Sequence, residues 1–195
     1  MDRVERLEKQ YGLEVEWRAF ELHPEIPPEG RVLTRDPDRV KAGRERLLKA
    51  AAEDGVEMRF RERTSNSRLA LEATEYARDQ GKANGFHHAL MKAYWVETRD
   101  IGDSDVLTDV AAACGLDAAE LRQALTDRRY SEEVQHQIDL ARQFNIYAVP
   151  SFIFSHKFLV QGCQPYDVFE RIMEEHVLPD ARAARGEAQS EDSAS

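Results

Sequence analysis

The stretch from Asn145 to Pro165, NIYAVPSFIFSHKFLVQGCQP, limits the folds open to this chain more than any other. Ser151–Phe154 and Phe158–Gln161 are short runs rich in aromatic and branched side chains, joined by Ser155, His156 and Lys157. That spacing predicts a β-hairpin. Val149-Pro150 stands at the start of the first strand. Proline offers no N–H to a ladder, which suits a strand at an edge, and an X-Pro bond is the one place where a cis peptide costs little. From the dipeptide alone, a trans bond is the commoner outcome. A cis bond would instead double the chain back and turn the main chain of Val149 outward, giving an edge on which an extended peptide can dock.

The rest of the chain must supply what the hairpin packs against. Its 195 residues suffice for one ordinary domain, or for one domain carrying an insertion. A hydrophobic content of 42% with 33% charged residues is a globular, soluble mixture. No apolar run approaches the ~20 residues that a bilayer span needs. The opening MDRVERLEKQ is charged from its second residue, so no membrane, no signal peptide and a cytoplasmic location are expected. The net charge of −10 argues against nucleic acid as a partner, because phosphate binding needs clustered cations. Two cysteines, Cys114 and Cys163, occur without a Cys-x-x-Cys, so neither a structural disulfide nor a metal site is expected.

Taken in order, Val4, Leu7 and Tyr11 mark one face of a helix from Asp2 to Gln10, closed by Gly12. Leu13–Phe20, LEVEWRAF, alternates apolar and charged residues and predicts a strand. His23–Gly30 has three prolines and a glycine and predicts a surface loop. From there to about residue 144 the pattern is helical. One helix is expected from Asp36-Pro37 to Gly55, with Val40, Leu47, Leu48 and Ala51 on a stripe, followed by a polar connector. Further helices are expected to be capped by Ser65 or Asn66 and by Ser104, opened by Asn84, begun at Asp117 by a capping box with Glu120, and begun by Ser131. A last helix carries Val168, Phe169 and Ile172 and ends near Leu178-Pro179. The tail from 180 to 195 lacks large apolar residues and is expected to be disordered.

The resulting order is helix, strand, helical block, strand, strand, helix. A parallel crossover begins from a strand, so one β-element looks missing at the front. This order, with VEWRAFELHPEIPPEG at Val15 to Gly30, NSRLALEATEYARDQGK at Asn66 to Lys82, DIGDSDVLTDVAAACGLD at Asp100 to Asp117, AVPSFIF and GCQP, resembles the DsbA-like family. Within it, the likeness is to the branch of FrnE-type disulfide oxidoreductases and 2-hydroxychromene-2-carboxylate isomerases. The resemblance implies an α/β, thioredoxin-like fold with a large all-helical insertion and its first β-strand missing. Residues 1–30 and 145–179 would form the core and 31–144 the insertion with its return helix. The family opens with a strand and a Cys-Pro-Trp-Cys or a relative at the N-terminus of the first helix, where a thiol becomes a reactive thiolate. This chain has neither, so an internal or misassigned start at Met1 is the first expectation and a degenerate homologue the second.

The family implies a cis Val149-Pro150 bond, with Val149 and Pro150 binding the substrate peptide. Cys163 lies on a loop that would border the same groove, where it is either a lone participating thiol or a small filler. Cys114 sits on an apolar helix stripe and is expected in the core. Asn66 resembles the position where glutathione-using relatives place an asparagine near the ligand, but an N-cap explains it fully and is the preferred reading. His87 and His88 are adjacent on a helix, point about 100° apart and cannot chelate one ion. Three functions follow. The first is a thiol–disulfide oxidoreductase acting on protein or small-molecule disulfides, its catalytic Cys-x-x-Cys absent from this chain. The second is a glutathione-dependent isomerase or transferase using Asn66 and Val149. The third is a non-catalytic peptide-binding module. No cofactor is expected beyond glutathione in the second; the partner would be a disulfide-containing peptide or small-molecule thiol, and oligomeric state is left open.

Overall fold

A computed structural model of the chain describes residues 2–32, 37–53 and 55–181. The expected Asp36 cap and all but the first two residues of the tail lie outside the described residues. The chain folds as two compact units. The first combines residues 1–15 with 145–195, and the second runs from Glu16 to Phe144.

The first unit holds α1 (Asp2–Tyr11), the hairpin of β3 (Ser151–Phe154) and β4 (Phe158–Gln161), and α8 (Tyr166–Ile172), which continues through a π turn at Met173–Val177. The hairpin register pairs Phe152 with Val160 and Ile153 with Leu159. Strand side chains alternate, so Phe152, Phe154, Phe158 and Val160 share the face that packs on Leu7, Phe169, Met173 and Val177. Phe152 meets the edge of Phe169 with ring centroids 4.9 Å apart. The opposite face is bare: Ile153 and Leu159 are 42% and 40% exposed. Ser155 and His156 both adopt positive φ in the connecting turn, closed by the Lys157 N–H donating to the Phe154 carbonyl at 3.0 Å.

The second unit holds a short ladder of β1 (Arg31–Val32) with β2 (Arg63–Thr64), a long helix α2 (Pro37–Glu53), and the helices α3 (Arg68–Asp79), α4 (Ala83–Trp95), α5 (Ser104–Ala113), α6 (Ala118–Thr126) and α7 (Ser131–Gln143). The two-residue ladder falls partly in residues 56–66, where the sequence pattern predicts a polar connector. Gly30 makes it possible: at φ +75° it passes so close to Thr64 that a β-carbon would stand 2.8 Å from the Thr64 carbonyl oxygen. Phe86, Leu90, Leu107, Val110, Leu121 and Leu125 lie in one core cluster fed by α3 to α6, while Val134 and Ile138 of α7 pack with Ala19 in another.

Two expectations are corrected. Leu13–Phe20 keeps its alternation of half-buried and exposed residues but forms no strand, because no ladder partner is present among the described residues. From Glu16 onward the helices hold it by other means. The Ala19 N–H donates to Gln137 Oε1 at 2.7 Å, the Arg78 guanidinium donates to the Trp17 carbonyl, and the Trp17 ring stacks on His87 at 4.3 Å. Residues 16–30 therefore belong with the helices rather than with the hairpin unit. The cap of α5 is Asp103, not Ser104, since its carboxylate accepts from the Asp105 N–H. Asp117 does cap α6, accepting from Ala119 and Glu120, while the Glu120 carboxylate pairs outward with Arg129 at 2.6 Å.

Candidate functional site

β3 is hydrogen-bonded to β4 along one side, and its other side has no partner among the described residues. That leaves a row of main-chain donors and acceptors available to an added strand. At its head the Val149-Pro150 peptide is cis. Tyr147, Ala148, Val149 and Pro150 are all exposed, Tyr147 to 70% and Val149 to 48%. The flanks are fixed: the Gly162 N–H donates to the Pro150 carbonyl at 2.8 Å, Ser151 Oγ donates to the Ala148 carbonyl at 2.7 Å, and Gln161 Nε2 donates to the Asn145 carbonyl at 3.1 Å. Between them, the N–H and C=O of Val149 make no hydrogen bond to any described residue. A backbone held in place on both sides and unsatisfied in the middle is prepared for an extended partner.

Beside this edge is a shallow cleft of ≈ 30 Å³ whose walls include Val4 and Leu7 of α1, Pro150, Phe152 and Phe169. Cys163 sits at its rim with an exposed thiol. Gly162, at φ +82°, turns the chain out of β4 and delivers the thiol there. Arg3 braces the loop: its Nη1 donates to the Gln164 carbonyl at 2.7 Å and lies 3.5 Å from Cys163 Sγ. Sequence reasoning passed over Arg3. The signal was its position, since a cation in the first turn of a helix opposes the macrodipole and needs another reason to be there. Together these residues offer main-chain pairing, an apolar wall and one nucleophilic sulfur.

Val149, Pro150 and Cys163 are thus brought together within one unit. Asn66 lies in the other unit. Its Nδ2 donates to the Ile26 carbonyl at 2.6 Å and its Oδ1 accepts from the Arg68 N–H at 2.8 Å, anchoring the loop before β1 to the start of α3; the N-cap position itself is Ser67, not Asn66 or Ser65. Cys114 is half-buried against the helical core, where burial pushes its thiol upward and the nearby Lys82 ammonium opposes the shift. His87 is driven down to about 4 by burial and by His88, so it is neutral near pH 7. No group of His, Cys, Asp and Glu that could hold a metal occurs among the described residues. Nor is any described helix long and apolar enough to cross a membrane.

Known proteins share this architecture. The chain is 31% identical over 166 residues to the uncharacterized protein YwbO of Bacillus subtilis (strain 168), covering 84% of this chain and 82% of that one. A crystal structure of a probable DsbA oxidoreductase from Streptomyces coelicolor superposes with a TM-score of 0.81 at 26% identity, covering 88% of this chain and 81% of that one. A 2-hydroxychromene-2-carboxylate isomerase shares the fold, with a TM-score of 0.67 at 19% identity over 99% of this chain and 91% of that one. The model of the DSBA-like thioredoxin domain matches residues 1–174, and the chain belongs to that family.

Proposed function

We propose that this chain binds an extended, disulfide-bearing peptide or a small disulfide along the Val149 edge and exchanges disulfides with it at Cys163. The observation that carries the reading is the unpaired main chain of Val149 at the head of an open strand, a thiol-bearing loop beside it. In the exchange the Cys163 thiolate attacks one sulfur of R–S–S–R′, the S–S bond breaks, and R′S⁻ leaves and takes a proton from water. The product is a mixed disulfide between Cys163 and R. With no Cys-x-x-Cys in the chain, a second thiol from solution, such as glutathione, must attack that bond to release R–SH and leave its own mixed disulfide. The alternative reading, a glutathione-dependent isomerase or transferase, would use Asn66, whose Nδ2 donates to the Ile26 carbonyl and whose Oδ1 accepts from the Arg68 N–H, leaving one amide hydrogen and one lone pair for a ligand.

The test separates docking from chemistry. An unfolded peptide carrying one disulfide is titrated into ¹⁵N-labelled protein, with a backbone N-methylated version as control. Amide shifts centred on Val149 and β3 are expected, lost on N-methylation and retained in Cys163→Ser. Mass spectrometry should find the mixed disulfide in the parent chain and not in that variant. Binding without any adduct would leave a non-catalytic peptide-binding module; absence of binding would remove the reading altogether.

A further inference from the structure

The thiol of Cys163 has a cation beside it, and the sign of that charge discriminates among the disulfides that can reach the sulfur. The cleft at whose rim the thiol sits is lined by Val4, Leu7, Pro150, Phe152 and Phe169 with Gln164, and Arg3 is the one charged residue on its walls among the described residues. Arg3 Nη1 lies 3.5 Å from Cys163 Sγ and donates to the Gln164 carbonyl at 2.7 Å, so the guanidinium is fixed against the loop that carries the thiol. Charges nearby are engaged elsewhere. Arg6, one turn further along α1, stands over the Tyr166 ring at 3.7 Å and lies 3.6 Å from Glu170, while Asp167 of α8 meets Arg171 at 3.4 Å.

This local sign is opposite to that of the molecule. A chain of net charge −10 draws cations and holds anions off, so a preference for an anion at Cys163 has to come from groups within about a Debye length of it, ~10 Å at 0.1 M salt. A sulfur that joins Cys163 Sγ lies about 2 Å from it, which puts a charge two or three bonds further on well inside that range of Arg3.

We propose that Arg3 is a specificity-determining residue for the exchange at Cys163, favouring disulfides that carry a carboxylate close to their sulfurs. This rests on the disulfide-exchange reading of that thiol. In the favoured step the Cys163 thiolate attacks one sulfur of such a disulfide and the S–S bond breaks. One half stays as the mixed disulfide, its carboxylate near the guanidinium, and the other leaves as a thiolate that takes a proton from water. An ammonium in the same place meets like charge.

The probes are 3,3′-dithiodipropionate and cystamine, small disulfides of similar length and opposite charge. The rate at which each forms the Cys163 adduct is followed by mass spectrometry after digestion, and the ratio of anionic to cationic rate is the quantity read. The same thiol reacts in both cases, so its ionised fraction cancels. Arg3→Gln should lower the ratio about tenfold at low salt, Arg3→Lys should retain most of it, and raising the salt should shrink the difference between parent and Arg3→Gln. If Arg3 only braced the loop, its loss would slow both probes alike and leave the ratio where it was. An unchanged ratio with adducts still forming therefore overturns the inference and leaves the exchange standing; no adduct with either probe removes the exchange and the inference together. The same charges placed next to the half-cystine of an extended peptide, Glu against Lys, assign the source of the carboxylate. A peptide ratio that also falls in Arg3→Gln extends the preference to peptides, and one that does not move confines it to small disulfides.

Discussion

The hairpin unit and the helical unit solve the same problem by different means. In the helical unit the buried carboxylates are paired with arginines, although the buried Nε of Arg44 has no hydrogen-bond partner. Glu72 is wholly buried, and its carboxylate takes Arg128 at 2.6 and 3.1 Å and Arg68 at 3.3 Å. Arg68 in turn donates to the Ser131 carbonyl at 2.8 Å, and Glu75, also buried, pairs with Arg78 at 2.9 Å. Among the described residues the hairpin unit has no such buried ion-pair network around its buried side chains, Leu7, Ile146, Val160, Phe169, Met173 and Val177. Its main chain at Val149 and along β3 is left unsatisfied. A closed unit can be rigid; an open one keeps a surface for a partner and has less to hold it together.

Phe169→Ala should break that comparison most sharply. The ring is 2% exposed and meets both Phe152 and Phe154, so its removal leaves a cavity costing about 4 kcal/mol in a unit with few other buried side chains. Hydrogen exchange followed residue by residue should show the β3–β4 amides losing protection while α3 to α6 keep theirs. Equal loss in both units would mean that they unfold as one cooperative body.

This asymmetry was legible in the sequence only on one side. The hairpin could be read because Ser151–Phe154 and Phe158–Gln161 announce themselves by residue type and bound a clear turn, and α2 to α7 were legible from stripes such as Phe86, Leu90 and Ala93. What failed is non-local. Leu13–Phe20 has a strand's alternation, but alternation reports which side chains are covered and not whether another strand lies within hydrogen-bonding reach. Leu47 and Leu48 have a helix's period without its usual consequence, since a stripe is buried only if something is placed over it. At the site, Val149, Pro150 and Cys163 were reached through the Val-Pro step and the loop after β4. Arg3 was not, because its partners, Gln164 and Cys163, are 160 residues away along the chain.

Glu72→Ala should be the next largest effect, about 3 kcal/mol, because it removes the buried carboxylate shared by Arg68 and Arg128 and leaves Arg68 only its longer pair with Glu21 at 3.5 Å. Denaturant unfolding followed by helical circular dichroism measures it. Here the ordering should reverse: α3 and α7 lose exchange protection and the hairpin does not. An unchanged midpoint would show that the network is replaceable by solvent.

A smaller effect depends on pH. His87 is held neutral in the fold, at about 4 against an ordinary 6.5, first by burial and then by His88. Its folded value lies below its unfolded one, so between about 6.5 and 4 the unfolded chain takes up the proton more readily. Stability is therefore full above pH 6.5 and falls as the pH drops toward 4, by up to about 3 kcal/mol over the whole window. Burial opposes the charge, not the stack, and Trp17 lies 4.3 Å from the ring, so Trp17 fluorescence should report the protonation locally through the same window. His87→Phe should keep the stack and flatten the pH dependence through this window; a dependence that survives it belongs to other groups.

Asn66→Ala is the smallest change and bears on which unit handles thiol ligands. Losing the acceptor for the Arg68 N–H and the donor to the Ile26 carbonyl should cost about 1 kcal/mol and lower the melting temperature of the helical unit by a few degrees. If the amide serves only as a brace, calorimetric titration with glutathione should give the same result before and after the substitution, and the Val149 amide should respond identically to the disulfide peptide. If glutathione binds the parent and not the variant, the helical unit takes part in recognition, and the division between a sealed scaffold and an open docking edge has been drawn in the wrong place.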